Sequence, residues 1–185
     1  MISTNEFRAG IAILLDGELY TIVEFQHVKP GKGGAFVRTK LRRLKEGSVM
    51  ERTFRAGEKC QEAFIEERKL QFLYRSGDAF HFMDSTTFED LRLQEQDIGP
   101  AAGFLKENME VAGSFHDGQL IGLQLPIFVE LRIEQTEPGI RGDTAKAGTK
   151  PARLETGVTI QVPLFVESGE VVRVDTRTGA YISRA

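Results

Sequence analysis

The feature that most constrains this chain is a two-residue alternation of apolar and polar side chains, interrupted repeatedly by glycine-bearing turns. Ile11, Ile13 and Leu15 alternate before Asp16-Gly17, and Leu19, Thr21, Val23 and Phe25 alternate after it. Successive side chains of a strand point to opposite faces, so the pattern predicts a β-hairpin closed by a tight Asp-Gly turn. Val37, Thr39 and Leu41 continue it with Arg38, Lys40 and Arg42 on the other face, and Met50, Arg52 and Phe54 extend it to Ala56-Gly57. Leu70, Phe72 and Tyr74 then lead through Ser76-Gly77-Asp78 to Phe80 and Phe82, and Asp117-Gly118 turns the chain into Ile121, Leu123 and Leu125. The last third repeats the habit with Val129, Leu131 and Ile133, then Val158, Ile160 and Val162 before Pro163, then Val172 and Val174 before Thr178-Gly179. One helix is expected, from about Ala101 to Met109, opened by Gly99-Pro100. The 185 residues include 19 glycines, enough turns for an all-β protein of short strands. Three small β-barrel domains in series fit best, over residues 1–64, 65–127 and 128–185. A unit of that size buries only about 60% of its unfolded surface, so neighbouring barrels are expected to support one another.

Charge is unevenly spread along this frame. The formal net charge of -3 argues, taken whole, against a nucleic-acid partner. By segment, residues 1–64 carry 11 Lys or Arg against 8 Asp or Glu, residues 65–127 carry 5 against 11, and the remainder balances 8 against 8. Most of the basic excess lies between Lys29 and Lys45, which hold seven bases and no acid. A solvated strand face and a nucleic-acid footprint both produce such a run. With 41% hydrophobic and 28% charged residues, the chain has the material for a globular core and no stretch of roughly 20 apolar residues for a membrane helix. Met1 to Phe7 is polar and contains Glu6, unlike a signal peptide, so a cytoplasmic location and no membrane partner are expected. Cys60 is the single cysteine, which excludes an intrachain disulfide, a CxxC pair and a cysteine-rich metal site.

Between Val28 and Phe36 the sequence reads Lys29-Pro30-Gly31-Lys32-Gly33-Gly34-Ala35. This is the tip of a hairpin. Pro30 fixes one backbone angle and the glycines carry no side chains, so Lys32 is the long group that projects. An ordinary soluble loop is one reading. The other is a tip built to enter a narrow, phosphate-lined space, where glycines allow close approach and the ammonium meets phosphate or ribose oxygens. A Walker loop is excluded, because Gln26 and Gly33 stand where it needs Gly and Ser or Thr; Phe36 stands at the third glycine of a dinucleotide fingerprint. The exposure of Lys32 also suits a modifying enzyme. His27, His81 and His116 have no ligand spacing, and the serines lack a nucleophile elbow, so no catalytic residue, metal site or bound cofactor is expected and the chain reads as a non-enzyme. In the last third, the loop from Pro138 to Gly148 exposes Gly142, Asp143 and Thr144, and near the C-terminus Tyr181 and Arg184 suit base stacking and phosphate contact as well as they suit a closing strand.

Four ordered stretches carry a resemblance: Asn5-Glu6-Phe7-Arg8-Ala9-Gly10, the loop from Lys29 to Phe36, Gly142-Asp143-Thr144-Ala145, and the segment from Lys150 to Glu170. Over its whole length the chain resembles bacterial elongation factor P. The resemblance implies an SH3-like, KOW-type first barrel followed by two OB-fold barrels, in an elongated, L-shaped, tRNA-like form. It implies a translation factor that binds both ribosomal subunits between the peptidyl and exit tRNA sites and relieves stalling at consecutive prolines. Peptidyl-tRNA and rRNA are then the partners, and a monomer is expected. Pro30, Gly31, Lys32, Gly33 and Gly34 fall on the loop that reaches the CCA end, with Lys29, Arg38, Lys40 and Arg42 as RNA-backbone contacts. Lys32 falls on the position that carries a covalent extension in many members. A lysine there points away from rhamnosylation and toward a β-lysyl or aminopentanol extension made by a lysine-modifying enzyme, or none. Gly142, Asp143 and Thr144 fall where the family contacts mRNA near the exit site, Lys146 departs from the common glycine, and Tyr181 and Arg184 are placed toward tRNA or the small subunit. The competing assignments are the elongation-factor-P-like paralogue, whose loop and exit-site run differ from these, a free-standing single-stranded nucleic-acid-binding OB protein, and an enzyme forming a Schiff base through Lys32.

Overall fold

The alternation resolves into three sheets in the computed structural model, which describes residues 1–139 and 148–185. The first contains β1 (Ile2–Ser3), β2 (Ala12–Leu15), β3 (Glu18–Val28), β4 (Phe36–Arg43), β5 (Val49–Arg55) and β6 (Lys59–Ala63), ordered β1-β6-β2-β3-β4-β5. Laid flat, its outer strands would stand roughly 24 Å apart, at about 4.8 Å per strand. Instead Ile2 of β1 and Phe54 of β5 share one core with Phe7, Ile13, Tyr20, Ile22, Val37, Leu41 and Cys60, and the Phe7 and Phe54 rings meet edge to face at 5.5 Å. The sheet therefore curls around its apolar side. A bulge in the antiparallel β3–β4 ladder, between Ile22 and Glu24, supplies part of the bend by leaving Val23 without a partner opposite. The expected Asp-Gly turn joins β2 to β3, with Asp16 and Gly17 both at positive φ (52° and 83°), as a two-residue hairpin turn of matching twist requires.

The second sheet contains β7 (Glu66–Ser76), β8 (Ala79–Asp84), β9 (Asp90–Gln94), β10 (Glu110–His116) and β11 (Gln119–Gln124), ordered β11-β10-β7-β8-β9. Its inward positions include Phe72, which packs on Phe80 and Phe82 with ring centroids 5.8 and 5.3 Å away. The helix expected over Ala101 to Met109 is not formed. A short α-helical turn spans Glu95–Ile98 and a 3-10 turn spans Gly99–Phe104, after which the chain extends at Leu105. Pro100 lacks the N–H that would continue the α-helical turn of Glu95–Ile98, and Gly99 sits at φ 70°, outside helical geometry. Gly103 is required by packing: a Cβ there would run into Cγ2 of Val158.

The third sheet contains β12 (Phe128–Thr136), β13 (Thr149–Leu154), β14 (Thr159–Pro163), β15 (Val171–Asp175) and β16 (Tyr181–Arg184), ordered β14-β13-β12-β15-β16. Its core joins Val129, Leu131, Ile133, Leu154, Val162 and Val172 to Phe104 from the 3-10 turn. Lys106 reaches the same region, with Nζ 3.4 Å from both the Glu130 carbonyl and Glu155 Oε1. Contacts divide the chain into two compact units, Met1–Glu67 with Ser114–Gly122, and Arg68–Gly113 with Leu123–Ala185. Among the described residues, no helix is long and apolar enough to cross a membrane.

Two fully buried threonines in the first sheet have opposite polar status. Thr4 Oγ1 donates to the Arg55 carbonyl at 3.2 Å and accepts from the Gly57 N–H at 2.9 Å, whereas Thr39 Oγ1 has no hydrogen-bond partner. A buried hydroxyl with two partners is costly to remove, and an orphaned one costs desolvation without return. Chemical denaturation is expected to show Thr4→Val losing about 1–3 kcal/mol and Thr39→Val unchanged or gaining up to about 1 kcal/mol.

Candidate nucleic-acid interface

The β3–β4 hairpin begins inside the first core and ends outside it. Its ladder runs from Tyr20 opposite Arg43 to Val28 opposite Phe36, with Ile22 and Leu41 buried near one end and, near the other, Gln26 and His27 exposed while Val37, opposite His27, is still buried. Beyond the last pair, residues 29–34 are all exposed, and among the described residues no hydrogen bond holds them. The nearest anchor is at the base, where Ala56 N–H donates to the Ala35 carbonyl. Pro30, Gly31, Lys32, Gly33 and Gly34 are thus brought together at one unsupported tip, with Lys29 at its foot.

The three glycines differ in what they require. Gly33 has φ 105°, a region L side chains rarely adopt, and a Cβ there would come 4.0 Å from Pro30 Cγ. Gly31 and Gly34 have no such φ and open space around any added Cβ. Nothing within the protein demands glycine at those two positions, so a requirement for it would come from whatever approaches the tip.

On the outer face of β4 the bases are unequal. Lys40 is bound to Glu24 Oε2 at 2.9 Å, with Glu51 opposite on β5, and this pair raises the lysine above its ordinary pKa. Arg43 donates to Tyr20 Oη and to Glu46 and lies 2.7 Å from Glu18, and these contacts also push its pKa up. Arg38 stands between Gln26 and Thr53, and Arg42 between Thr21 and Val49; neither has an ion pair among the described residues. The run of bases therefore presents two free guanidiniums on either side of a neutralised lysine.

Near the C-terminus, Tyr181 is half-buried against the third core. Arg184 lies over the exposed Phe165 ring at 4.7 Å from its centroid, donates to the Phe165 carbonyl at 3.0 Å, and sits 3.4 Å from Glu170. Tyr181 and Arg184 share β16 but are turned to these separate partners. Phe165 was not legible as a surface residue, and its only signal is the unbroken apolar run Leu164-Phe165-Val166 after Pro163. Gly142, Asp143 and Thr144, with Lys146, lie outside the described residues.

The remaining reactive groups do not converge. His27 meets Phe25 edge to face, His81 stacks on Tyr74, and His116 Nδ1 lies 3.0 Å from the Phe64 carbonyl. Burial, with Glu58 nearby, pushes the Cys60 thiol up, so it is held protonated and poorly nucleophilic. Among the described residues, no three His, Cys, Asp or Glu side chains are grouped to hold a metal ion.

Three family models cover the chain. They are described as the elongation factor P (EF-P) KOW-like domain over residues 3–60, the elongation factor P (EF-P) OB domain over 65–123, and elongation factor P, C-terminal, over 129–184. The chain belongs to the elongation factor P family. Curated relatives named elongation factor P agree: one from Moorella thermoacetica is 58% identical over 185 residues, covering 100% of both chains, and one from Natranaerobius thermophilus is 55% identical, covering 100% of this chain and 98% of the relative. A third, from Coprothermobacter proteolyticus, is 53% identical over 184 residues. Among solved structures, eukaryotic translation initiation factor 5A from Methanococcus jannaschii superposes with TM-score 0.52 at 29% identity, over 64% of this chain and 88% of that one. A translation initiation factor eIF-5A family protein from Naegleria fowleri, with TM-score 0.54 and 14% identity over 67% and 96%, shares the fold. Membership in the elongation factor P family makes this chain a translation elongation factor, and its all-β architecture of a KOW-like barrel followed by OB-type sheets is that of the family.

The tip glycines yield a direct test. Gly31→Ala and Gly34→Ala are expected to leave thermal stability within about 0.5 kcal/mol of the parent. Gly33→Ala, forced into positive φ, is expected to cost about 1–2 kcal/mol or to rearrange the tip.

Proposed function

We propose that this elongation factor P family member binds the ribosome between the peptidyl and exit tRNA sites and relieves stalling at consecutive prolines, with Lys32 placed against the CCA end of peptidyl-tRNA. The observation that carries the reading is the tip itself: the Lys32 ammonium, without a partner among the described residues, stands between exposed glycines at the end of a long hairpin rooted in a packed core. Glycines at 31 and 34, which the fold does not need, fit a tip that must pass close to another backbone. Proline reacts poorly in peptide-bond formation, and a loosely held peptidyl-tRNA makes the step slower still. A cation against the CCA phosphates and ribose oxygens restricts that freedom and holds the reacting groups in attack geometry. The factor then supplies orientation, the ribosome supplies the chemistry, and the chain itself is not an enzyme.

A β-lysyl or aminopentanol extension on Lys32, added by a modifying enzyme, would lengthen this reach, and the intact mass of the protein from its native host tests for it. Three domains over 1–64, 65–127 and 128–185, acting as a cytoplasmic monomer, complete the reading. Gly142, Asp143 and Thr144 are proposed to meet mRNA, and Tyr181 and Arg184 to face tRNA or the small subunit.

Lys32→Ala is expected to leave the fold and ribosome affinity nearly unchanged while abolishing the stimulation of polyproline synthesis, with proline-free templates translated as before. Full polyproline activity of this variant would sink the proposal. The outer face of β4 gives a second test. Arg38→Gln and Arg42→Gln are each expected to weaken ribosome binding and flatten its salt dependence by about one phosphate contact, whereas Lys40→Gln, whose charge is already bound to Glu24, changes the salt slope far less. Binding measured across a salt series distinguishes the three.

A further inference from the structure

The second sheet has an aromatic surface that the tip does not use. On β7, β8 and β9 the inward positions Phe72, Phe80, Phe82 and Leu93 are buried, while Tyr74, His81 and Arg92 occupy the outward face. Tyr74 is the register partner of His81 across β7–β8, and His81 is the partner of Arg92 across β8–β9. The Tyr74 and His81 rings are stacked, with centroids 4.4 Å apart and planes 16° from parallel, and Tyr74 is 48% exposed. Among the described residues, neither the Tyr74 phenol nor the Arg92 guanidinium has a hydrogen bond or ion pair. Arg75, the residue beside Tyr74, is by contrast fully occupied by Glu95, the Gly77 carbonyl and the Phe80 ring.

We propose that Tyr74, His81 and Arg92 form a stacking site for an unpaired nucleotide of RNA. Two rings stacked side by side across β7 and β8 hold each other and leave one face of each open to a base, and the free guanidinium of Arg92, one strand from His81 and two from Tyr74, is placed to meet a phosphate of the same strand of RNA. The bulge that leaves Leu73 without a partner opposite is what brings Tyr74 into register with His81. β8 and β9 are the second and third strands of the segment matched by the OB domain, and the face of those strands is where OB barrels take up oligonucleotides. The surround is mixed, with Gln71, Met83 and Asp90 on the same side. With Asp90 close by and one free guanidinium, binding here depends chiefly on stacking and only weakly on salt.

The test uses the full chain and a labelled riboadenylate of about eight nucleotides, within the roughly 4–16 nucleotide span of an OB surface. The ring resonances of Tyr74 and His81 are expected to shift on titration. Tyr74→Ala is expected to weaken binding on the order of tenfold, Tyr74→Phe to retain it, and Arg92→Gln to reduce the salt slope by about one phosphate. Wild-type affinity in Tyr74→Ala, oligonucleotide shifts confined to other surfaces, or shifts of the same rings by an arginine-rich peptide and not by the oligonucleotide would each overturn the proposal. The ring resonances of Tyr74 and His81 report this site and polyproline stimulation reports the tip, so failure of the tip mechanism and failure of this site are read separately.

Discussion

The β3–β4 ladder is the interaction on which the first barrel and its candidate site both depend. Its inner side delivers Ile22, Val37 and Leu41 to the core, its outer side carries Arg38 and Arg42, and its end holds Lys32. These roles are coupled by the pleat, because a one-residue slip would exchange the buried and the basic faces. The register is set where the buried face is packed, from Ile22 and Leu41 out to Val37 one pair short of the ladder's end, so the position of the tip is fixed by the apolar contacts of the strands that carry it. The bulge at Val23 bends the strand around the core and shifts the inward positions by one residue, from Tyr20 and Ile22 before it to Phe25 after it.

Charge on this barrel is sorted by pairing. Lys40 and Arg43 are bound to acids from neighbouring strands and loops, and those bonds hold strands together at the surface. Arg38, Arg42 and Lys32 remain available to a partner. A sequence count treats all these bases alike, and the difference arises only from which residue lies opposite in the ladder: Glu24 for Lys40, Gln26 for Arg38, Thr21 for Arg42. The same logic holds near the C-terminus, where Arg184 is engaged with Phe165 and Glu170.

The second and third sheets show how small cores of this size are completed. Phe104 leaves its own segment to join the core of the third sheet, and Gly103 allows the approach by having no Cβ to strike Val158. The helix expected around Ala101 to Met109 gives way to this packing. Pro100 at the start of the segment is no obstacle to a helix; the chain instead extends at Leu105, and the tighter 3-10 turn carries Phe104 into the core.

By itself the sequence determined the all-β class, the Asp-Gly hairpin, the projecting glycine-rich loop and the family, because alternation, turn chemistry and contiguous motifs are local properties of the chain. On β3, by contrast, the expected face of Leu19, Thr21, Val23 and Phe25 is not the one that fills the core: Tyr20 and Ile22 are buried and Val23 is exposed, with only Phe25 turned inward after the bulge, and Phe7 enters the core from a loop. Tertiary structure alone decided which bases are free, which glycines serve the fold, that Tyr181 packs inward while Phe165 lies outside, and that Tyr74 stacks on His81. Each of those depends on cross-strand register or on contact between residues distant in sequence, and a bulge of one residue is enough to change it.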